Sequence, residues 1–473
     1  MGNTSEARRR IEAILDDYSF VEIGAGVTSR TTDFNLNDEK LPSDGVITGY
    51  GVIDGRLVYV YAQDASVLNG SVGEMHAKKI LRLYDMALKM GAPVIGLIDS
   101  AGMRLQEGAD ALTAFGAIYR KMSDASGVIP QISAVYGNCG GGLAVLSALS
   151  DFTFMEKEGR LFVNSPNAVA GNYTEKTDTA SAAFQAEKSG FVDAVGTSDA
   201  LPGMMRDLIS LLPSNNEDAD NQADCADDLN RALQVTDASD PAVLCTDMAD
   251  DHFFVETGSV YAPEMMTGFL RLDGETVGVV ANRSKKTDES GKETATYEKA
   301  LTIAGCEKAA RFVSFCDAFD IPLLSMTDVK GFAATMEEES GIALSAARMA
   351  ASFAAATVPK VNLITGDAFG SAYVAMNSFG LSADITIAWP SACVGVMDPK
   401  IAARIVADET DADAVSKAQE VLQAQMASAA GAVKRGAVDE VIPAADTRKY
   451  VTGAFEMLFS KREEKPGKKH LTV

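Results

Sequence analysis

Apolar residues fall along the chain in short, nearly unbroken runs separated by stretches of helical period. Runs at 94–98 (VIGLI), 132–136 (ISAVY) and 152–155 (FTFM) are matched further on by 323–327, 361–365 and 385–389. Runs this short and this continuous predict strands covered on both faces, as in a parallel sheet. Between them, Ile80, Tyr84, Ala87 and Leu88 share one helical face, ended by Gly91. Ala309, Phe312, Val313, Cys316 and Phe319 share another. Ahead of each set stands a strand pair joined by Asp-Gly, at Asp54-Gly55 and Asp273-Gly274, the dipeptide of a tight hairpin. A hairpin followed by alternating strands and helices predicts an α/β fold with largely parallel sheets.

The pattern is written twice. "GYGVIDGRLVYVYAQ" is echoed by "GFLRLDGETVGVVAN", "GAPVIGLIDSAG" by "DIPLLSMTDVKG", and "GVIPQISAVYGNCGGGLAV" by "TVPKVNLITGDAFGSAYVAM". Three anchors keep one register, since 322 − 93, 359 − 130 and 366 − 137 all equal 229. The repeat predicts two homologous domains, 1–235 and 236–473. The acidic stretch 212–230 between them reads as a linker or surface excursion, with 217–228 as solvated surface.

Composition narrows the function. A chain of 473 residues with 47% hydrophobic positions has enough apolar material for a full core. Its formal charge, 42 − 66 = −24, argues against nucleic acid and anionic membrane as partners. No apolar run is long enough to cross a bilayer, and a soluble, cytoplasmic protein is expected. Six cysteines (139, 225, 245, 306, 316, 393) form neither C-x-x-C pairs nor zinc spacing with histidine, so no metal is expected and the thiols read as reduced core residues.

Chemistry concentrates where a strand meets a helix, at Gly140, Gly141 and Gly142 in "YGNCGGGLAV". Three readings fit these residues. A nucleotide phosphate loop would need G-K-S/T or a G-x-G-x-x-G order, which is absent. A tight crossing would need glycine only for close backbone approach. An anion site would use peptide N–H groups at a helix start, fixed dipoles suited to a developing oxyanion. The second half has Gly370, Ser371 and Ala372 at the same junction. Two similar N–H sites per chain are therefore expected, although a structural crossing could be duplicated too.

At these residues the chain resembles the carboxyltransferase subunits of biotin-dependent acyl-CoA carboxylases and decarboxylases. The likeness runs nearly end to end, through "DGRLVYVYAQDASVLNGSVGEMHAKKI", "GAPVIGLIDSAGMRLQEG", "SGVIPQISAVYGNCGGG", "ATVPKVNLITGDAFGSAY" and "ADITIAWPSACVGVM". It implies a crotonase-like β-β-α spiral fold in each half. It also implies a homo-oligomer, commonly a dimer-based hexamer, with the first half of one subunit facing the second half of another. On the acyl-CoA side Gly141 and Gly142, with Gly140 beside them, would hold the thioester oxygen. On the biotin side Ser371 and Ala372, with Gly370, would hold the ureido oxygen. The offset of 229 alone points instead to Gly142 and Leu143 for the first site.

The resemblance makes biotin the base, so both intermediates carry charge on oxygen and no side chain need titrate. That suits a chain with three histidines (His76, His252, His470) and no nucleophile elbow. No A-M-K-M biotinylation sequence occurs, so biotin is expected on a separate carrier protein. The other partner would be a biotin carboxylase or a membrane decarboxylase subunit, the latter bringing the chain to a membrane. Ser371 stands where the family has glycine, and Val374 where some relatives carry an acid that helps set acyl-chain preference.

Other residues have quieter readings. Arg104 would either meet CoA phosphates or pair with Glu107 on a solvated helix start, and the pairing is favoured. Lys78 and Lys79 read as a solvated helix face, and His76 as a packed or capping residue. The direction of carboxyl transfer stays open, including the alpha subunit of a sodium-pumping decarboxylase. A hydratase or isomerase would need an acid/base, for which Glu107 is the candidate. A non-catalytic scaffold that docks a biotin carrier is the third reading.

Overall fold

The structure, a computed structural model, describes residues 5–30, 43–172, 176–218, 222–288, 290–407 and 411–467. His470 lies outside these residues. The chain packs as two compact units, Met1–Asn221 and Gln222–Val473. The boundary expected near 235 thus falls at 221/222, because the segment after it is bound to the second unit. Ala223 N–H donates to the Gly274 carbonyl (3.0 Å) and Leu233 N–H to that of Ala445 (2.8 Å). The acidic run is largely solvated as expected, with Glu217, Asp224 and Asp228 exposed, and Asp227 is the exception. Asp227 pairs with Arg231 at 2.9 Å and with the buried Arg448 at 3.4 Å.

In the first unit seven strands lie in the spatial order Val21–Ile23, Val46–Ile53, Arg56–Gln63, Val94–Ser100, Gln131–Gly140, Phe152–Glu156 and Ala194–Gly196. The first three pair antiparallel and the rest parallel, with Arg160–Phe162 added beside the end of Gln131–Gly140. The second unit repeats this order with Phe254–Thr257, Met265–Leu272, Glu275–Asn282, Leu323–Val329, Lys360–Phe369, Ile385–Ala388 and Glu440–Val441, and Cys393–Gly395 as the added strand. Both Asp-Gly turns have positive φ at each residue (48° and 78°; 54° and 78°), as a hairpin turn of matching twist requires.

The predicted helices cover these sheets. Helix Glu74–Met90 buries Ile80, Tyr84 and Ala87 and ends at Gly91 with φ 58°. Helix Ile303–Ala318 buries Ala309, Phe312, Val313 and Cys316. Each helix starts on a borrowed carboxylate: Glu74 N–H donates to Glu107 and Ile303 N–H to Glu338, both at 2.6 Å.

Lysines also recur, at 79 and 79 + 229 = 308, and neither is a solvated face. Lys308 Nζ donates to the Gly258 and Tyr261 carbonyls (2.7 and 2.9 Å), and Lys79 Nζ to those of Ser43 and Val46. Burial pushes the Lys79 ammonium down to about 8. Lys78 does lie outside, paired with Glu74.

One feature of both sheets was not visible in the apolar runs. The strands predicted at 132–136 and 361–365 continue to Gly140 and Phe369. Their polar and glycine-rich ends shift register and acquire new partners: Ile98 pairs with Val135 but Ser100 with Cys139, and Thr327 with Ile364 but Val329 with Ala368. The freed ends then pair with Arg160–Phe162 and Cys393–Gly395. Pairing across the fold, not propensity, makes them strands.

Candidate functional site: two strand-to-helix bends

Each extended strand delivers the chain into a short helix, Gly142–Ala148 in the first unit and Gly370–Ala375 in the second. The three glycines of the first bend answer to three different needs. A Cβ on Gly140 would lie 3.0 Å from the Phe162 ring. Gly141 has open space but φ +63°, which side chains rarely adopt. A Cβ on Gly142 would lie 2.8 Å from the Tyr119 hydroxyl and 3.1 Å from the Phe115 ring. At the second bend Gly370 repeats the unusual backbone, with φ +61°. Ser371 is tolerated beside it because the neighbour that fills the first bend is missing. Helix Ile342–Ala355 buries Ile342, Ser345, Ala346, Met349 and Phe353 where helix Ala109–Ala125 buries Ala111, Ala114, Phe115, Ile118 and Met122, so the residue in the place of Tyr119 is Ala350, which has no hydroxyl.

The amides sort themselves by their partners. Gly141 N–H donates to the Phe162 carbonyl at 2.8 Å, so this amide is already spent. That corrects the pair Gly141–Gly142. The first-turn amides of a helix have no intrahelical acceptor, and Gly141 has no side chain to cap them. The register given by the repeat, Gly142 and Leu143, is therefore the one whose N–H groups the helix leaves over. In the second unit the same positions are Ser371, which is exposed, and Ala372, and Phe369 before the helix supplies no capping acceptor.

A cavity of about 570 Å³ opens beside Ser371, lined by Tyr373, Val374, Val394, Met397 and Ala432 among others. It is predominantly apolar, and burial pushes the Tyr373 phenol up to about 12. Val374, 47% exposed, forms part of its wall.

The ionisable candidates are occupied elsewhere. Arg104 is not on a solvated helix start: its side chain is fully buried and its five N–H donors meet five acceptors. These are Asp44 Oδ1 (2.6 Å) and carbonyl (3.4 Å), Glu107 Oε1 (2.9 Å), and the Ser71 hydroxyl (3.3 Å) and carbonyl (2.7 Å). The pairing with Glu107 is present, and the guanidinium has no face left for a phosphate. Glu107 is equally committed, one oxygen to Arg104 and the other to Glu74 N–H, which removes the acid/base that a hydratase would need. His76 is packed: Nδ1 lies 3.0 Å from the Asp44 carbonyl, and burial drives its ring down to about 3. His252 is exposed. Cys139 is packed in the core with its sulfur 3.4 Å from the Ser147 hydroxyl, and burial pushes its thiol up to about 12.

Sequence reasoning missed three contributors, Tyr119 at the first bend and the carboxylates Asp99 and Asp328 that face Gly137 and Gly366. Tyr119 carries no motif and is recognisable only by its contact with Gly142. Asp99 and Asp328 did carry a signal, the same offset of 229, but not their role.

Two duplicated sheets, each ending in a bend that presents main-chain amides, define a carboxyltransferase fold, and the chain belongs to the carboxyl transferase domain family, which matches residues 3–473. It is 41% identical over 488 positions to the propionyl-CoA carboxylase beta chain of Roseobacter denitrificans, covering 98% of this chain and 92% of that one. It is 39% identical to the methylmalonyl-CoA decarboxylase subunit alpha of Propionigenium modestum, with the same coverage. Among solved structures it superposes on the transcarboxylase 12S hexamer core with methylmalonyl-coenzyme A bound, at a TM-score of 0.89 and 34% identity, covering 98% and 92% of the two chains. The protein is a carboxyltransferase of the propionyl-CoA carboxylase and methylmalonyl-CoA decarboxylase type. Among the described residues no helix is long and apolar enough to cross a membrane.

Proposed function

We propose that the chain moves a carboxyl group between biotin on a separate carrier protein and an acyl-CoA of the propionyl or methylmalonyl type, within an assembly of several copies. Supporting this is the matched pair of bends: two helices entered through a glycine at φ +63° and +61°, each with uncapped first-turn amides. Gly142 and Leu143 N–H hold the thioester oxygen, and Ser371 and Ala372 N–H hold the ureido oxygen. When bound, biotin supplies the carboxyl group and the base for the α-proton. The apolar cavity beside Ser371 offers its ring and alkyl arm an apolar wall. As negative charge moves onto the thioester oxygen, the fixed amide dipoles need not reorganise, and each such donor is worth on the order of 3 kcal/mol of barrier. The decarboxylase direction uses the same residues, and the likeness to decarboxylase alpha subunits supports it equally.

The test uses free biotin with a panel of malonyl-, methylmalonyl- and propionyl-CoA. Biotin-dependent loss of carbon dioxide from the dicarboxylic esters is expected. Ser371→Pro removes one amide donor in a first helical turn, where proline is tolerated. It should lower kcat by roughly 10²–10³, while Ser371→Ala stays near wild type. A wild-type protein with no biotin-dependent turnover refutes the reading.

A further inference from the structure

Helix Ala109–Ala125 sends one hydroxyl to the first bend: Tyr119 Oη donates to the Gly142 carbonyl. The ring is half-buried and stands edge-on to Phe115, with centroids 6.1 Å apart and planes at 83°. Tyrosine and glycine are fitted to each other, since a Cβ on Gly142 would lie 2.8 Å from that hydroxyl. The carbonyl of Gly142 and the N–H of Leu143 belong to one peptide group, planar and trans, so they point in opposite directions as a rigid unit. Whatever fixes the carbonyl therefore aims the amide.

Resting on the reading above, in which Leu143 N–H receives the thioester oxygen, we propose that Tyr119 is a positioning residue for carboxyl transfer, its hydroxyl holding the Gly142–Leu143 peptide in the orientation the enolate requires. The need arises from the sequence. Three successive glycines leave this stretch without side chains to pack, and glycine is the residue type with the most backbone freedom to lose. A hydroxyl on a rigid aromatic ring substitutes for that packing, and by polarising the carbonyl it makes the attached N–H a better donor. Burial holds the phenol above its ordinary range, so it remains a donor through neutral pH. The second bend lacks this brace, because Ala350 occupies the equivalent place on helix Ile342–Ala355.

Tyr119→Phe keeps the ring and its contact with Phe115 and deletes the hydroxyl. A misaimed donor should cost less than an absent one, about tenfold in kcat, with the KM for acyl-CoA within about twofold. A CoA thioether carrying a nitro group, whose nitronate mimics the enolate, should lose affinity about tenfold, while a saturated CoA thioether binds unchanged. The second variant, 3-fluorotyrosine at 119, preserves the fold and alters only the strength of the donor, and kcat should change with KM constant. Unchanged kcat and unchanged nitronate affinity in Tyr119→Phe would overturn the proposal, as would a raised KM with kcat intact. Failure of the underlying reading looks different: wild type itself would show no carboxyl transfer, or would bind the nitronate no better than the saturated thioether.

Discussion

Asp99 and Gly137 are locked together across two neighbouring strands: a Cβ on Gly137 would lie 2.0 Å from Asp99 Oδ1. The same carboxylate accepts from Asn138 N–H at 3.3 Å and pairs with Arg10 at 2.9 Å. It fills the gap in the ladder where Ile98 and Ser100 change register. Asp328 and Gly366 repeat the arrangement at 2.3 Å, with Asp367 N–H at 2.9 Å and Lys299 at 2.8 Å in the supporting roles. The carboxylate thus lets the strand leave one neighbour and carry its last residues to the bend.

Alanine at either glycine has no room beside the carboxylate. Gly137→Ala and Gly366→Ala are each expected to destabilise by about 1–3 kcal/mol, read as a lowered thermal midpoint, with activity falling further because the bend is displaced. An unchanged midpoint would show that the carboxylate can move aside.

Arg104→Met removes the guanidinium that bridges two buried carboxylates, Asp44 and Glu107. Breaking such a pair costs about 3–5 kcal/mol, and low soluble yield with a depressed midpoint is expected. The KM for acyl-CoA in the folded fraction should match wild type. A large, selective rise in that KM would restore the phosphate-binding role.

Val374→Asp places a carboxylate in the apolar cavity wall, one helical turn from the Ser371 amide. Its field opposes negative charge at that amide, so biotin-dependent turnover should fall roughly tenfold. The fold is expected to be unaffected, because Val374 is already half exposed. Turnover at the wild-type rate would place the reacting oxygen elsewhere.

Glu275 supplies a pH dependence. Burial, then Asp320 and Asp273 nearby, raise its carboxyl from 4.5 to about 7. A folded value above the unfolded one means that Glu275's contribution is fully present below pH 4.5 and lost as pH rises through 7. Glu275→Gln should therefore raise the thermal midpoint at pH 8 and leave it unchanged near pH 4.5. A difference of the same size at both pH values would contradict the sign.

Much of this was legible because it is local or duplicated. Unbroken apolar runs mark strands covered on both faces and a period of 3.6 marks a helix face, so the strands, the helices through Ile80 and Phe312, and the Asp-Gly turns could be read from the sequence. The offset of 229 went further, since it set Gly142 and Leu143 at the first bend against Ser371 and Ala372 at the second. Other features depended on partners distant in the chain. Arg104 and Lys79 look like surface residues until their acceptors, Asp44 and the Val46 carbonyl, are brought to them by folding. The spent amide of Gly141 depends on Phe162, and the brace on Gly142 depends on Tyr119. Sequence alone determined two copies of one α/β plan, with small residues at each bend. Tertiary structure alone decided which amides there are left over, because a hydrogen bond is allocated by whichever group the fold places within reach.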